Sequence, residues 1–151
     1  MFSLFKKKQF FSKEENDKIV AAIRNAEQCT SGEVRVFVES KCKFIDPLDR
    51  AVEIFSELKM GDTQDRNAVL VYVALKDRQL AVYADKGIHE KVGDQFWRQV
   101  VSTILSHFNK EIYADGISQC VTEIGEALQE HFPYNKETDK NELPDEIIFG
   151  R

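Results

Sequence analysis

"GDTQDRNAVLVYVALKDRQLAVYADKGIHE" spans residues 61–90, and its reading decides the fold. Within it, "NAVLVYVAL" (67–75) is a nearly continuous apolar run, the pattern of a strand covered on both faces. "LAVYA" (80–84) is a second run. Only residues 76–79 separate them, too few for a crossover, so the two runs form an antiparallel hairpin. Pairing Lys76 with Gln79 sets Leu70 opposite Asp85 and Ala68 opposite Gly87.

Working toward the N-terminus, "GEVRVFVES" (32–40) alternates. Val34, Val36 and Val38 face one way; Glu33, Arg35, Phe37 and Glu39 face the other, which is a strand. Between this strand and the hairpin, Asp46-Pro47 reads as an N-cap followed by a first helical residue. Leu48, Ala51, Val52, Phe55 and Leu58 then form a helical stripe over 47–60, with Gly61 as its stop. A strand–helix–strand unit makes a right-handed crossover, so strands 33–39 and 67–75 are parallel.

Helices flank this core. Ser12-Lys13-Glu14-Glu15 is a capping box, and Ile19, Ala22, Ile23 and Ala26 line one face of the helix behind it. After the hairpin, residues 88–93 predict one short helical turn. Asp94 caps a helix with Phe96, Val100, Ile104 and Phe108 as its seam. A last helix carries Ile117, Cys120, Val121, Ile124 and Leu128 and stops before Pro133. The fold class is α/β: a three-layer α/β/α sandwich whose mixed, mostly parallel central sheet contains one antiparallel hairpin strand. Residues 12–133 form the domain. Residues 1–11 are a strap, and 134–151 an extended polar tail whose Ile147-Ile148-Phe149 patch docks on the body.

A chain of 151 residues is one domain with room for a core. Its net charge of −5 excludes a general phosphate-tracking surface, so no nucleic-acid partner is expected. Three cysteines without C-x-x-C spacing are read as free thiols in a reducing cytoplasm. The histidines lack zinc-ligand spacing. "MFSLFKKKQFF" (1–11) is too short and wrongly ordered for a secretory signal, and no apolar run is long enough to span a membrane. Its phenylalanines are read as covering the core edge, with a weak peripheral membrane contact as the competing reading. A monomer with a protein partner is expected. Nucleotide-binding and nucleophile-elbow motifs are absent from the sequence, and Tyr72, Tyr83, Phe96 and Trp97 read as packing residues.

The chain path gathers oxygen-bearing side chains at one rim. Glu33 and Asn67 begin parallel strands at the same end, and the hairpin returns Asp85 to that end, about three residues along the ladder from Asn67. Asp62 and Asp65 precede the second strand, and Asp115-Gly116 in the last interhelical loop joins from outside the sheet. Such a group suits Ca²⁺ or Mg²⁺, which take carboxylate, amide and carbonyl oxygens. Arg66 and Lys86 offer the alternative, simple charge relief.

"SGEVRVFV" (31–38), "RNAVLVYVALKDRQLAVYADKGIHE" (66–90) and "FNKEIYADGISQCVTEIGEAL" (108–128) together resemble the TPM domain family. With "HFPYN" and "NELPDEI" they point to a small soluble bacterial subgroup. The resemblance covers residues 10–133. It implies an α/β/α sandwich, a divalent-cation site in a crevice at the sheet rim and, in some members, phosphatase activity. Carried over by position, it marks Asp65 with Asn67, Asp85, and Asp115 in "YADG". Many relatives carry a leader and a membrane tail, and neither is expected here. The expected metal ligands are therefore Glu33, Asp65, Asn67, Asp85 and Asp115. The expected function is a non-catalytic cation-binding interaction module, with a metal-assisted phosphatase as the alternative.

Overall fold

The computed structural model describes residues 10–43, 46–109, 112–134 and 147–150. The chain order is α1 (Lys13–Glu27), β1 (Glu33–Glu39), α2 (Pro47–Glu57), β2 (Ala68–Ala74), β3 (Gln79–Ala84), α3 (Lys86–Asn109), α4 (Tyr113–His131) and β4 (Ile148–Phe149). The sheet order is β3-β2-β1-β4. β1 is parallel to β2 and to β4, and β2 is antiparallel to β3. Helices cover both faces, as a three-layer sandwich requires.

Strand parity divides the interior into two cores. Val34, Val36, Val38, Val69, Val71 and Val73 face α1, α3 and α4. Phe37, Leu70, Tyr72 and Ala81 face α2, where Ala51, Ile54 and Phe55 meet them. Each fully buried aliphatic side chain contributes about 1.5–3 kcal/mol, so this alternation fixes which way each strand faces. The Ser12 capping box forms as read, with Glu15 N–H donating to Ser12 Oγ at 3.1 Å. All three cysteines are free.

Four local details differ from the sequence reading. First, Leu70 pairs with Tyr83 and Ala74 with Gln79, so the hairpin is shifted by two residues. Arg78 N–H bonds Leu75 O at 3.2 Å and Arg78 takes φ 52°, closing the loop early. An even shift preserves both faces and brings Asp85 beside Ala68. Second, α2 ends at Glu57 in a Schellman turn. Met60 N–H reaches Phe55 O, Lys59 N–H reaches Ser56 O, and Lys59 rather than Gly61 takes the left-handed position at φ 56°. Its buried stripe includes Ile54, while Leu48 and Val52 are exposed. Third, the short turn before Asp94 runs directly into the next helix, broken only at Gly93 (φ 78°), where a glycine is favoured. There the inner aromatic is Trp97, with Phe96 partly covered. Fourth, the Ile148–Phe149 segment does more than dock. It adds a strand to β1, and Gly150 N–H bonds Val38 O at 2.7 Å.

Phe10 stacks on Phe149 with ring centroids 5.6 Å apart, and Phe11 is buried in the core. The rest of the strap, and the tail over 135–146, lie outside the described residues.

Candidate functional site

The rim where β1 and β2 begin and β3 ends is built from three chain segments. Asn67 O accepts Glu33 N–H at 3.3 Å, and Asp85 N–H donates to Ala68 O at 2.9 Å. The 63–67 loop folds under them: Thr63 Oγ1 accepts Asn67 N–H at 3.3 Å. Arg66 O accepts Gly87 N–H at 2.7 Å. A Cβ on Gly87 would stand 2.1 Å from Asp65 O and 2.6 Å from Arg66 O, so only glycine lets these two backbones touch.

Asp85 is the centre of this rim. Its residue is 2% exposed. Arg66 grips the carboxylate with a fork, Nε to Oδ2 at 2.7 Å and Nη2 to Oδ1 at 2.9 Å. Lys86 N–H adds 2.8 Å to Oδ1. A bidentate, charge-assisted pair is the strong form of this interaction. The hydrogen bond to Asp85 raises the Arg66 pKa further, and the charge of Asp85 adds to it. Yet the Arg66 side chain is 53% exposed, and its backbone sits at φ 52°, a conformation unusual for a non-glycine residue.

The other expected ligands are placed unevenly. Asp65, like Asp62, is exposed on the loop beside Gly87. Glu33 is buried on the same sheet row as Asp85, with Ala68 between them, about 10 Å away across two strand spacings. Asn67 has the parity of the opposite face, and its Nδ2 donates to Ser31 Oγ at 3.3 Å. Its Oδ1 is buried with no hydrogen-bond partner. Asp115 does not join the rim. It opens α4 and pairs with Lys18 of α1. The end of α4 that approaches β1 is Leu128, against Gly32, about 20 Å further along the helix. Among the described residues, no three His, Cys, Asp or Glu side chains are arranged to hold a metal ion.

Two features escaped the sequence reading. At the other end of the α2 face, Arg50 grips Glu39 with two bonds of 3.0 Å, and Tyr72 Oη donates to the same carboxylate. Acid and tyrosine at the same parity on paired strands was the available signal. Beside the rim lies a cleft of about 590 Å³ whose walls include Leu48 of α2, Tyr83 of β3, and His89, Asp94 and Trp97 of α3. Nothing in the sequence spacing announces it.

Comparison with known proteins fits this architecture. Residues 4–127 match the TPM domain family, and the chain belongs to that family. The BA42 protein of the psychrophilic bacterium Bizionia argentinensis, known from an NMR structure, is 41% identical. It superposes with a TM-score of 0.87 over 96% of this chain and 99% of its own. Two more distant NMR structures share the fold. The N-terminal domain of a protein from P. gingivalis is 18% identical, with TM-score 0.66 over 83% of this chain and 82% of that one. The N-terminal domain of the cg2496 protein of Corynebacterium glutamicum is 16% identical, with TM-score 0.60 over 79% and 74%. No curated protein matches the chain. The family includes phosphatase-like members, and no described helix is long and apolar enough to cross a membrane.

Proposed function

We propose that this TPM domain is a non-catalytic interaction module whose rim answers to Ca²⁺ or Mg²⁺, the cation competing with Arg66 for Asp85. The observation that carries this reading is the buried Asp85 carboxylate, held by a half-exposed arginine on a left-handed backbone. A guanidinium that can swing into water is a removable counter-charge. Once it leaves, Asp85 must find another cation, because an unpaired buried carboxylate is costly. Asp65 and Asp62 stand on the adjoining loop to complete an oxygen set. The lone Oδ1 of Asn67 and the carboxylate of Glu33 are the further donors if the loop turns. Asp115, paired with Lys18, is left out. Three free thiols fit a reducing cytoplasm, where we place a monomer.

Thermal melts with CaCl₂ or MgCl₂ test this. A ligand at 100 times its Kd adds about 2.7 kcal/mol. Arg66→Ala, by removing the competitor, should tighten cation binding, whereas Asp85→Asn should abolish it. Silence at millimolar cation in both wild type and Arg66→Ala, or weaker binding in Arg66→Ala, rejects the reading.

The family's phosphatase-like members support a second reading, in which the exposed Asp65 serves as a base beside the rim. A bound cation would supply polarisation of a phosphoryl oxygen. Aryl-phosphate turnover by the pure protein, lost in both Asp65→Ala and Asp85→Ala, selects this alternative. Turnover that survives both changes does not belong to this site.

A further inference from the structure

Among the described residues, the outer edge of β3 is an open hydrogen-bonding strand. β2 spends its odd residues on β1, as Leu75 N–H to Glu39 O at 3.0 Å and the Glu33 N–H to Asn67 O bond show. Its even residues serve β3, as the Asp85 N–H to Ala68 O bond shows. By the alternation of an antiparallel ladder, residues 79, 81, 83 and 85 of the hairpin bond inward. Leu80, Val82 and Ala84 therefore aim N–H and C=O outward, and among the described residues β3 has no further strand beside it. Among the described residues, no hydrogen bond reaches those outward groups.

Natural edges are guarded by charge, proline or bulges. "QLAVYA" (79–84) has none of the three. Unpaired backbone groups beside side chains as buried as Leu80 (6%) and Val82 (8%) are costly unless something pairs them.

The 590 Å³ cleft follows this edge from Val82 to Asp85. Leu48 belongs to α2 on one sheet face, and Trp97 and Arg98 belong to α3 on the other, yet all three line it. Val82 and Ala84, on the α3 face, and Tyr83, on the α2 face, also line it, so the cavity wraps around β3. It runs from Leu48, at the start of α2, to Arg66, beside the end of β3.

We infer that this edge takes up an extended, uncharged peptide segment of a partner protein as a fifth strand, by main-chain pairing with Leu80, Val82 and Ala84. Charge supports this occupant. The cleft's ionised side chains balance, with Arg66, Lys86 and Arg98 against Asp85, Glu90 and Asp94, so a neutral guest suits it better than a phosphate or an acidic tail. Shape argues against a second copy. The edge lies in a recess between α2 and α3, and two recessed edges cannot meet about a two-fold axis. This inference stands without the cation reading, so its test is run in EDTA.

The probe is a capped six-residue peptide of alternating threonine and valine, titrated into the intact protein and followed by NMR. Exchange of the Leu80, Val82 and Ala84 amides should slow by about tenfold, while the inward amides of Ala81 and Tyr83 barely change. N-methylation of the peptide at the alternate residues that face β3 should weaken binding by at least about tenfold, one such step being 1.4 kcal/mol. N-methylation in the other register should not. A glutamate-for-valine or lysine-for-valine peptide should bind more weakly than the neutral one. Absence of saturation at millimolar peptide overturns the inference. So does equal loss in both N-methyl registers, or edge protection that rises with protein concentration alone, which would assign the edge to a second copy.

Discussion

Two arginine–carboxylate forks stand on the same sheet face, about 20 Å apart along the strands, and they are built for different ends. Glu39 is held by Arg50, a residue of the helix α2 whose side chain is 21% exposed. Tyr72 Oη adds a buried donor, Glu53 braces the same guanidinium, and the Arg50 group lies 5.8 Å over the Phe37 ring. The hydrogen bond to Glu39 dominates the upward shift of the Arg50 pKa, against the opposing cost of burial. Asp85 is as deeply buried as Glu39, yet its arginine comes from a loop and is mostly in water. One fork is a clamp whose acid, arginine and phenol are all packed. The other is a buried charge with a detachable partner. Burial of the acid alone does not distinguish them; the exposure of the base does.

The sharpest way to break this comparison is to remove each acid. Glu39→Ala strands a mostly covered guanidinium and a buried phenol. Breaking a buried pair costs about 3–5 kcal/mol, so the urea midpoint should fall by the equivalent of about 4 kcal/mol. Asp85→Ala releases Arg66 to solvent and should shift the midpoint clearly less. Equal losses for the two variants would mean that Arg66 is as fixed as Arg50, and the cation reading would lose its basis.

The same contrast marks what the sequence could carry. Parity in "GEVRVFVES" and "NAVLVYVAL" is a local, repeated signal, and both cores follow it. The capping box at Ser12 and the Asp46 cap need only neighbours within three residues. The Arg66–Asp85 fork joins residues 19 apart, and its existence depends on the hairpin register, which Arg78 sets by taking a left-handed turn that no side chain requires. Leu48 and Val52 carry the same hydrophobicity as Ile54, so the true inward stripe of α2 is decided by the strands beneath it. Asp115 follows a run that looks like a site loop, but the direction of α4 carries it to the far end of the domain. The β4 strand is legible as an apolar patch and not as a strand, because its partner lies more than a hundred residues away.

The finest test of the clamp is alkaline pH. Tyr72 is fully buried, and burial first, then its bond to Glu39, raises its pKa well above the ordinary value of 10.0. Where a folded-state pKa is raised, stability is complete below the unfolded pKa and declines above it. The unfolded chain then sheds a proton that the native state keeps. The window therefore opens near pH 10 and runs upward. One such group costs about 1.4 kcal/mol by pH 11. Tyr72→Phe removes both this liability and a bond to a charged acceptor worth about 1.5 kcal/mol. At pH 7 wild type should exceed Tyr72→Phe by about that amount, and the gap should close almost to nothing by pH 11. Urea titrations of the two proteins side by side cancel the other titrating groups, including the buried Cys120 thiol, which is also pushed up by burial. A gap that stays constant from pH 9 to 11 would show that the phenol ionises as freely in the native protein as in the unfolded chain. The Glu39 clamp would then be as open to water as the Asp85 rim.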